Sequence, residues 1–365
     1  MRNVTREEIN RAIRNEWRSL CTDATPRPSG VLFWLAVFAF AILCAYRAVG
    51  QVSDIPAIAR AQLQAQLDAG YLSLAPGTVT IDGPLYVRSR TLLRGCGLAS
   101  TIRLAPNSGQ WAIIVQPLPR IVSRRLVPGY IYGADLESFA VSGGGIRFDQ
   151  VSQTCSVAGV WVSGAPGDGF LISGDGEQQV FRDCKAWSNG GAGFAVRTAG
   201  ANNGIVLDHC NAQSNAGPGI VFETTADGGD LSLCEIARCT VQGNGQPQIH
   251  VRGYVTSLTI ADTWVESDAA GAVGIQAESV PAVPPRRDPW RPAGLRIQGR
   301  SVVSLIPRAV RLIDAPSADI DTLAVYPSTA VVEWQTWRPG GRMLRLGAER
   351  LREVTPDELG AIAHP

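Results

Sequence analysis

Arg197, Glu223, Arg252 and Glu278 recur 26, 29 and 26 residues apart. Asp149 stands two shorter intervals before Arg197, and Arg147 lies two residues ahead of Asp149. His250 lies two residues ahead of Arg252 in the same way. A guanidinium matches a carboxylate through two parallel N–H donors. A histidine or a carboxylate moves a proton when it lies within reach of the reacting group. Stacked by a fold, these residues make an anionic-sugar site. Arg197 and Arg252 would bind or neutralise a uronate carboxylate, and Glu223 or His250 would exchange a proton in β-elimination or hydrolysis. Glu223 paired with Glu278 or Asp149 would give two carboxylates. Two steps of a stacked fold set Glu223 and Glu278 about 9.6 Å apart, near the upper end of the inverting glycosidase range. The same letters also describe a surface ladder of ion pairs, each worth little energy.

The element that positions them is a repeat. "CKAWSNGGAGFAV" starts at Cys184 and "CNAQSNAGPGIVF" at Cys210, and related runs begin at Leu136, Val160 and Cys239. In all five, nine residues separate the first position from the start of a second run, at Gly145, Gly169, Gly193, Gly219 and Gln248. A longer sixth copy starts at Thr263 and reaches Gly274. A period of 20 to 30 residues with short alternating segments and glycine-rich turns is a solenoid of strands. Three short strands per copy predict a parallel β-helix. Leucine-rich repeats need regularly spaced Leu and Asn, and propeller blades need about 40 residues each.

Coils stacked about 4.8 Å apart turn each position into a column. Ile146, Phe170, Phe194, Ile220, Ile249 and Ile275 form the main apolar stack, and Cys184, Cys210 and Cys239 an inward column. Asn189, Asn215 and Asn244 fall at a turn, where Asn tolerates positive φ and its amide can reach the next copy. Outward columns are Arg147, Leu171, Ala195, Val221, His250, Gln276 and Asp149, Ser173, Arg197, Glu223, Arg252, Glu278. Trp161, Trp187 and Trp264 are expected to share one outward position and to stack on sugars or cover a neighbouring loop.

The run "LAPGTVTIDGPLYV…TLLRGCGLASTIRL" after "SDIPAIARAQLQAQLDAG" resembles the opening of the right-handed parallel β-helix, pectate-lyase-like superfamily. The resemblance covers about Ser53 to Tyr326. It implies a helix covering the open end of the first coil, and a site on an exposed strand face lined by loops. That superfamily hosts lyases, hydrolases, epimerases, adhesins and spikes, so the fold does not choose the activity. Its polygalacturonase, "DPH" epimerase and calcium-lyase signatures have no counterpart among these letters. Asp183, Asp208 and Asp262 sit at strand ends and read as turn caps, with Ca2+ as the alternative; no other cofactor or metal is implied.

The near-neutral net charge of +1 argues against a nucleic-acid partner, and 45% hydrophobic residues argue for a large core. "VLFWLAVFAFAILCAY", Val31 to Tyr46, carries no charge, and its flanks extend it to membrane-spanning length. Arginines dominate the residues before it, which sets the N-terminus in the cytoplasm. A cleaved signal ending near Gly50 and a buried apolar helix are the competing readings. Inward cysteines read as small buried hydrophobes, with Cys234 to Cys239 the bridge an oxidising compartment would favour.

The expected organisation is all-β. A cytoplasmic polar helix spans 1–30, a transmembrane helix 31–50 that contacts the lipid bilayer, and a capping helix 51–70. A right-handed parallel β-helix spans 71–326 with a proline-rich loop at 280–294, and a tail with a short helix spans 327–365. The function read from this is a membrane-anchored, periplasmic or extracellular protein that binds or processes an acidic polysaccharide, as a lyase, hydrolase or epimerase. Glu223, His250 and Arg252 would be catalytic, and Arg147, Asp149, Arg197, Trp161, Trp187 and Glu278 would bind substrate. The alternative is a non-catalytic virion spike or surface adhesin that uses the β-helix as a rigid homotrimeric rod.

Overall fold

The structure, a computed structural model, describes residues 55–353 except 119, 123–124, 128, 225–228, 282–289, 292, 314–316, 321–322, 327–329, 336–342 and 347–350. The polar helix expected over 1–30, the membrane helix over 31–50 and the terminal helix opened by Thr355 lie outside the described residues.

Helix α1 (Ile55–Asp68) covers the first coil, as the resemblance implies. Its Leu67 is buried and Leu63 packs against the core. Gln64 Nε2 donates to the carbonyl of Tyr86 at 2.9 Å, and its Oε1 accepts from the Tyr86 amide at 2.8 Å. One side-chain amide thus takes the place of a missing strand and blunts the open edge. Gly70, at φ +92°, turns the chain out of the helix into the first strand.

From Tyr71 the chain winds through three sheets, visiting each once per coil. Sheet 1 begins with Tyr71–Ser73, sheet 2 with Gly77–Ile81 and sheet 3 with Leu85–Val87. Among the described residues they hold 13, 11 and 10 strands, and all their pairings are parallel. The registers deduced from the repeat are those observed. Ile146 pairs with Phe170, Phe170 with Phe194, Phe194 with Ile220, Ile220 with Ile249 and Ile249 with Ile275. Inside, the Phe170 and Phe194 rings stack at 4.8 Å and 2°, and Phe181 meets Phe170 and Phe148 edge-on. This interior is a single apolar cluster running through the coils.

Each corner has its own device. Between sheets 1 and 2 one residue per coil adopts positive φ: Ser138, Gly159, Asp183, His209, Arg238 and Asp262. Between sheets 2 and 3 that duty falls to Gly143, Gly164, Ser188, Ser214 and Gly243. The sequence reading assigned it to Asn189, Asn215 and Asn244, each one residue later. Those asparagines point inward instead and form a buried column. Asn215 Oδ1 accepts from the Asn189 amide N–H and Nδ2 at 3.1 and 2.9 Å. Asn244 Oδ1 accepts likewise from Asn215 at 3.0 and 2.8 Å. Gln248 Oε1 ends the column, accepting both donors of Asn244 at 3.0 Å.

The glycine column follows from this. A Cβ at Gly193 would come within 2.9 Å of Asn215 Nδ2, and one at Gly219 within 2.7 Å of Asn244 Nδ2. Gln248 occupies the same register position in the next coil, where its side chain closes the column and glycine is no longer needed.

Three features depart from the expected organisation. Strands continue beyond Tyr326, at Ala330–Gln335, Met343–Leu346 and Leu351–Glu353, each joining its sheet in parallel. Alternating apolar letters such as "AVVEWQ" continue the coils where the loop lengths lose their regularity. The proline-rich segment also closes on itself at its base, with Val280 and Pro281 paired antiparallel to Arg291 and Trp290. A second antiparallel hairpin, Arg120–Val122 with Arg125–Val127, leaves the same corner between sheets 3 and 1.

Candidate functional site

Sheet 3 turns its outward side chains into one charged row. The strand pairings set Asp149, Ser173, Arg197, Glu223, Arg252 and Glu278 in one column and Arg147, Leu171, Ala195, Val221, His250 and Gln276 in the next, as the repeat predicts. At one rung per residue the charges touch. Arg197 Nε lies 3.4 Å from Glu223 Oε2, Arg252 Nη1 2.9 Å from Glu223 Oε1, and Arg252 Nε 2.8 Å from Glu278 Oε1. His250 Nε2 stands 3.3 Å from the same Glu278 oxygen, off the line a hydrogen bond needs, so the contact is electrostatic. Gln276 donates to the other Glu278 oxygen at 3.1 Å.

The row has a member that the column reading missed. Asp168, in the turn before the Phe170 strand, pairs with Arg197 through one oxygen and accepts the Ala192 amide at 2.7 Å through the other. Its position depends on how the turn folds back over the sheet, which no repeat letter encodes. Arg147 and Asp149 form a separate pair at 2.9 Å, and Asp149 also accepts the Ser173 hydroxyl. Between the two groups, Ala195 and Val221 are buried with Ala192 and the partly buried Leu171 packs against them, so this stretch of the outward column is apolar. The structure therefore joins Glu223, His250, Arg252, Arg197 and Glu278 and sets Arg147 with Asp149 apart.

The electrostatics are those of a half-buried chain of charges. Side chains of His250 and Glu278 are each 20% exposed and Glu223 24%, whereas Arg197 and Arg252 reach 36% and 45%. Burial pushes the Glu278 carboxyl up, but His250 and Arg252 outweigh it and hold its pKa below the ordinary value. Both Glu223 oxygens face arginines, Oε2 toward Arg197 and Oε1 toward Arg252, so the carboxylate is engaged as a holder of guanidinium groups. Arg252 bridges Glu223 and Glu278, and so fills the gap in which an inverting hydrolase would hold its water.

The tryptophans lie elsewhere. Trp161 and Trp187 project from sheet 2, and they do not share a column. Trp161 pairs in register with Lys185, while Trp187 pairs with Ser163 and Gln213. Trp264 belongs to the Trp161 column, through Thr240, Asn211 and Lys185. The expected shared position fails for Trp187, which falls two residues later in its repeat copy than Trp161 and Trp264 do in theirs. Because alternate residues keep to one face, Trp187 still points outward.

Asp183, Asp208 and Asp262 do not converge. Asp183 and Asp262 occupy the positive-φ corner, whereas Asp208 lies one position earlier and is held by Arg182 and Arg238. Among the described residues no group of three metal-binding side chains comes together. Cys184, Cys210 and Cys239 are buried free thiols that donate to backbone carbonyls at 3.2–3.5 Å, and Cys234 is free as well. Burial pushes the Cys234 thiol up to about 12.

Comparison with known proteins agrees with this architecture. Residues 133–279 match the model of a family described as right handed beta helix region. Open reading frame 18 of Geobacillus virus E2 superposes with a TM-score of 0.55 at 11% identity, over 75% of this chain and 56% of its own. The A-modules of two mannuronan C-5 epimerases of Azotobacter vinelandii superpose at 0.47 and 0.45, with 15% and 17% identity. They cover 81% and 79% of this chain, and 95% and 96% of their own. No curated protein matches in sequence. The fold is a right-handed parallel β-helix.

Proposed function

We propose that the protein is a membrane-anchored β-helix, held outside the cytoplasm by the apolar segment 31–50, that binds an acidic polysaccharide and processes it on the charged face of sheet 3. The observation that carries the reading is the convergence of His250 and Arg252 on one oxygen of Glu278, with a second partly exposed arginine, Arg197, two rungs away in the same column as Arg252. Glu278 stands 3.3 Å from Nε2 without an aligned hydrogen bond, and His250 takes the role of base from its place beside Glu278, with Nδ1 as the acceptor. Arg252 and Arg197 keep N–H donors at the solvent side for a uronate carboxylate. The carbon next to that carboxylate then gives its proton to His250. The electron pair left on carbon forms the new double bond and expels the glycosidic oxygen. Re-protonation of the same carbon from the opposite side would instead give epimerisation. Among the described residues no helix is long and apolar enough to cross a membrane; the anchor rests on the charge-free run and the arginines ahead of it.

A second reading has its own observation. The row is internally paired, which suits a rigid, non-catalytic rod of the spike or adhesin kind. Two measurements separate the readings. The full chain in detergent is incubated with polygalacturonate, polymannuronate and polyguluronate. Ultraviolet absorbance of an unsaturated product, or a changed ratio of uronate epimers, that disappears in His250→Ala supports the enzyme. Activity that survives both His250→Ala and Glu223→Gln removes the assigned site. Absence of any reaction, together with a trimer by light scattering, establishes the rod.

A further inference from the structure

Sheet 2 presents a face unlike the other two. Around Lys185 its outward residues are Trp161 one rung before, Trp187 two residues on in the same strand, and Asn211 and Gln213 one rung after. Lys185 is the only lysine of the chain. Its Nζ lies 5.1 Å from the centroid of the Trp161 ring and 5.4 Å from that of Trp187, so the two indoles bracket one cation. Trp187 is 49% exposed and Trp161 36%, which puts a large apolar surface on a strand face.

Two physical facts narrow what such a face takes. Flat aromatic rings in water stack on the C–H faces of pyranose sugars, where apolar surface is gained without stranding hydroxyl groups. The neighbouring amides and hydroxyls exchange hydrogen bonds with those hydroxyls and impose no charge of their own. The ammonium group, held in position by both rings, is the single fixed positive charge between them and complements one carboxylate. Trp264 continues the Lys185 column three rungs further, about 14 Å along the axis, and its Nε1 is anchored on Glu266 at 2.8 Å. Trp161, Lys185 and Trp264 lie in one column of successive rungs, which suits an extended ligand parallel to the helix axis.

We propose that sheet 2 carries a non-catalytic glycan-binding strip. A uronate residue of a polysaccharide chain lies across Trp161 and Trp187, with its carboxylate on Lys185. The acidity of the ligand rests on the reading given under Proposed function; the strip itself is a separate face, with its own residues and its own test.

The test uses the full chain in detergent and follows tryptophan fluorescence during titration with an oligogalacturonate, an oligomannuronate and a neutral gluco-oligosaccharide of equal length. At least one uronate oligomer is expected to bind and the neutral one to bind at least tenfold more weakly. Trp187→Ala is expected to weaken uronate binding at least tenfold. Lys185→Gln is expected to remove the preference for the uronate and the weakening of binding by salt. Both positions are on the surface, and thermal unfolding checks that the variants keep the fold. Unchanged uronate affinity in the Trp161→Ala, Trp187→Ala double variant overturns the strip while leaving the sheet 3 reading intact. Equal binding of neutral and acidic oligomers overturns the role of Lys185. Failure of the unaltered chain to bind any uronate overturns the acidic-polysaccharide reading and, with it, this one.

Discussion

The asparagine column and the charged row climb the same coils, one inside the corner between sheets 2 and 3 and the other on the outer face of sheet 3, and they treat polar groups in opposite ways. Asn189, Asn215 and Asn244 are nearly inaccessible, and every amide oxygen among them accepts a hydrogen bond. Arg197, Glu223, Arg252 and Glu278 are each a fifth to a half exposed and bind one another through charge. A buried amide that loses its partner has no water to turn to, so the inner column has to be complete. An exposed guanidinium that loses its carboxylate is rehydrated, so the outer row can exchange an internal partner for an external one. The inner column holds rungs in register, and the outer row is where a ligand can compete.

That contrast can be broken by substitution. His250→Gln carries the largest expected effect: loss of uronate processing by about 100-fold or more, the scale of general acid–base catalysis, with the denaturation midpoint little changed. A parallel collapse of stability would show that the row is structural. Asn215→Ala comes next. It removes the acceptor of the Asn189 amide N–H and Nδ2, and takes the Nδ2 donor from Asn244 Oδ1 while the backbone N–H of residue 215 stays, for an expected loss of about 3 kcal/mol in urea unfolding. A loss under about 1 kcal/mol would mean that water enters the corner and the column is not sealed.

Glu223→Gln is expected to cost less than about 1 kcal/mol, because its two arginines rehydrate. A cost as large as that of Asn215→Ala would erase the distinction between the columns. The smallest effect is one of pH. The Glu278 pKa is lowered in the fold, so its stabilising contribution is complete above the ordinary carboxylate value of 4.5 and is lost as pH falls through the lower, folded value. The difference in urea midpoint between the unaltered chain and Glu278→Gln should therefore be constant at neutral pH and shrink in acid. A difference that persists undiminished in strong acid would show that Glu278 acts by packing and not by charge.

Much of this was legible in the letters because a β-helix is nearly one-dimensional. Once Gly193 and Gly219 fix the offset, the partners of Phe194 and Arg197 follow by counting, and the observed pairs Phe194 with Ile220 and Arg197 with Glu223 agree. What counting could not supply is what the chain does between the strands. Asp168 joins the charged row from a turn. Ser188 and Ser214 take the positive φ that Asn usually fills, which frees Asn189 and Asn215 to turn inward. Three-residue strands have two outward positions that accept a large side chain, and counting from Cys184 already puts Trp187 at the second of them, which the pairing with Ser163 bears out. The coils after Tyr326 escaped because their lengths vary, although the alternation of "AVVEWQ" was there to be read.

The bracketed ammonium group of sheet 2 also has a chemical consequence. An ε-amine occurs at one place in the whole chain, so any acylating reagent or enzyme that consumes such amines has a single side-chain address, midway along a rod. One acetyl group there would abolish the only charge between two indoles and leave a neutral, wholly stacking surface. A covalent mark at one atom would thereby switch which polymers adhere to that face while the coils beneath stayed as they are.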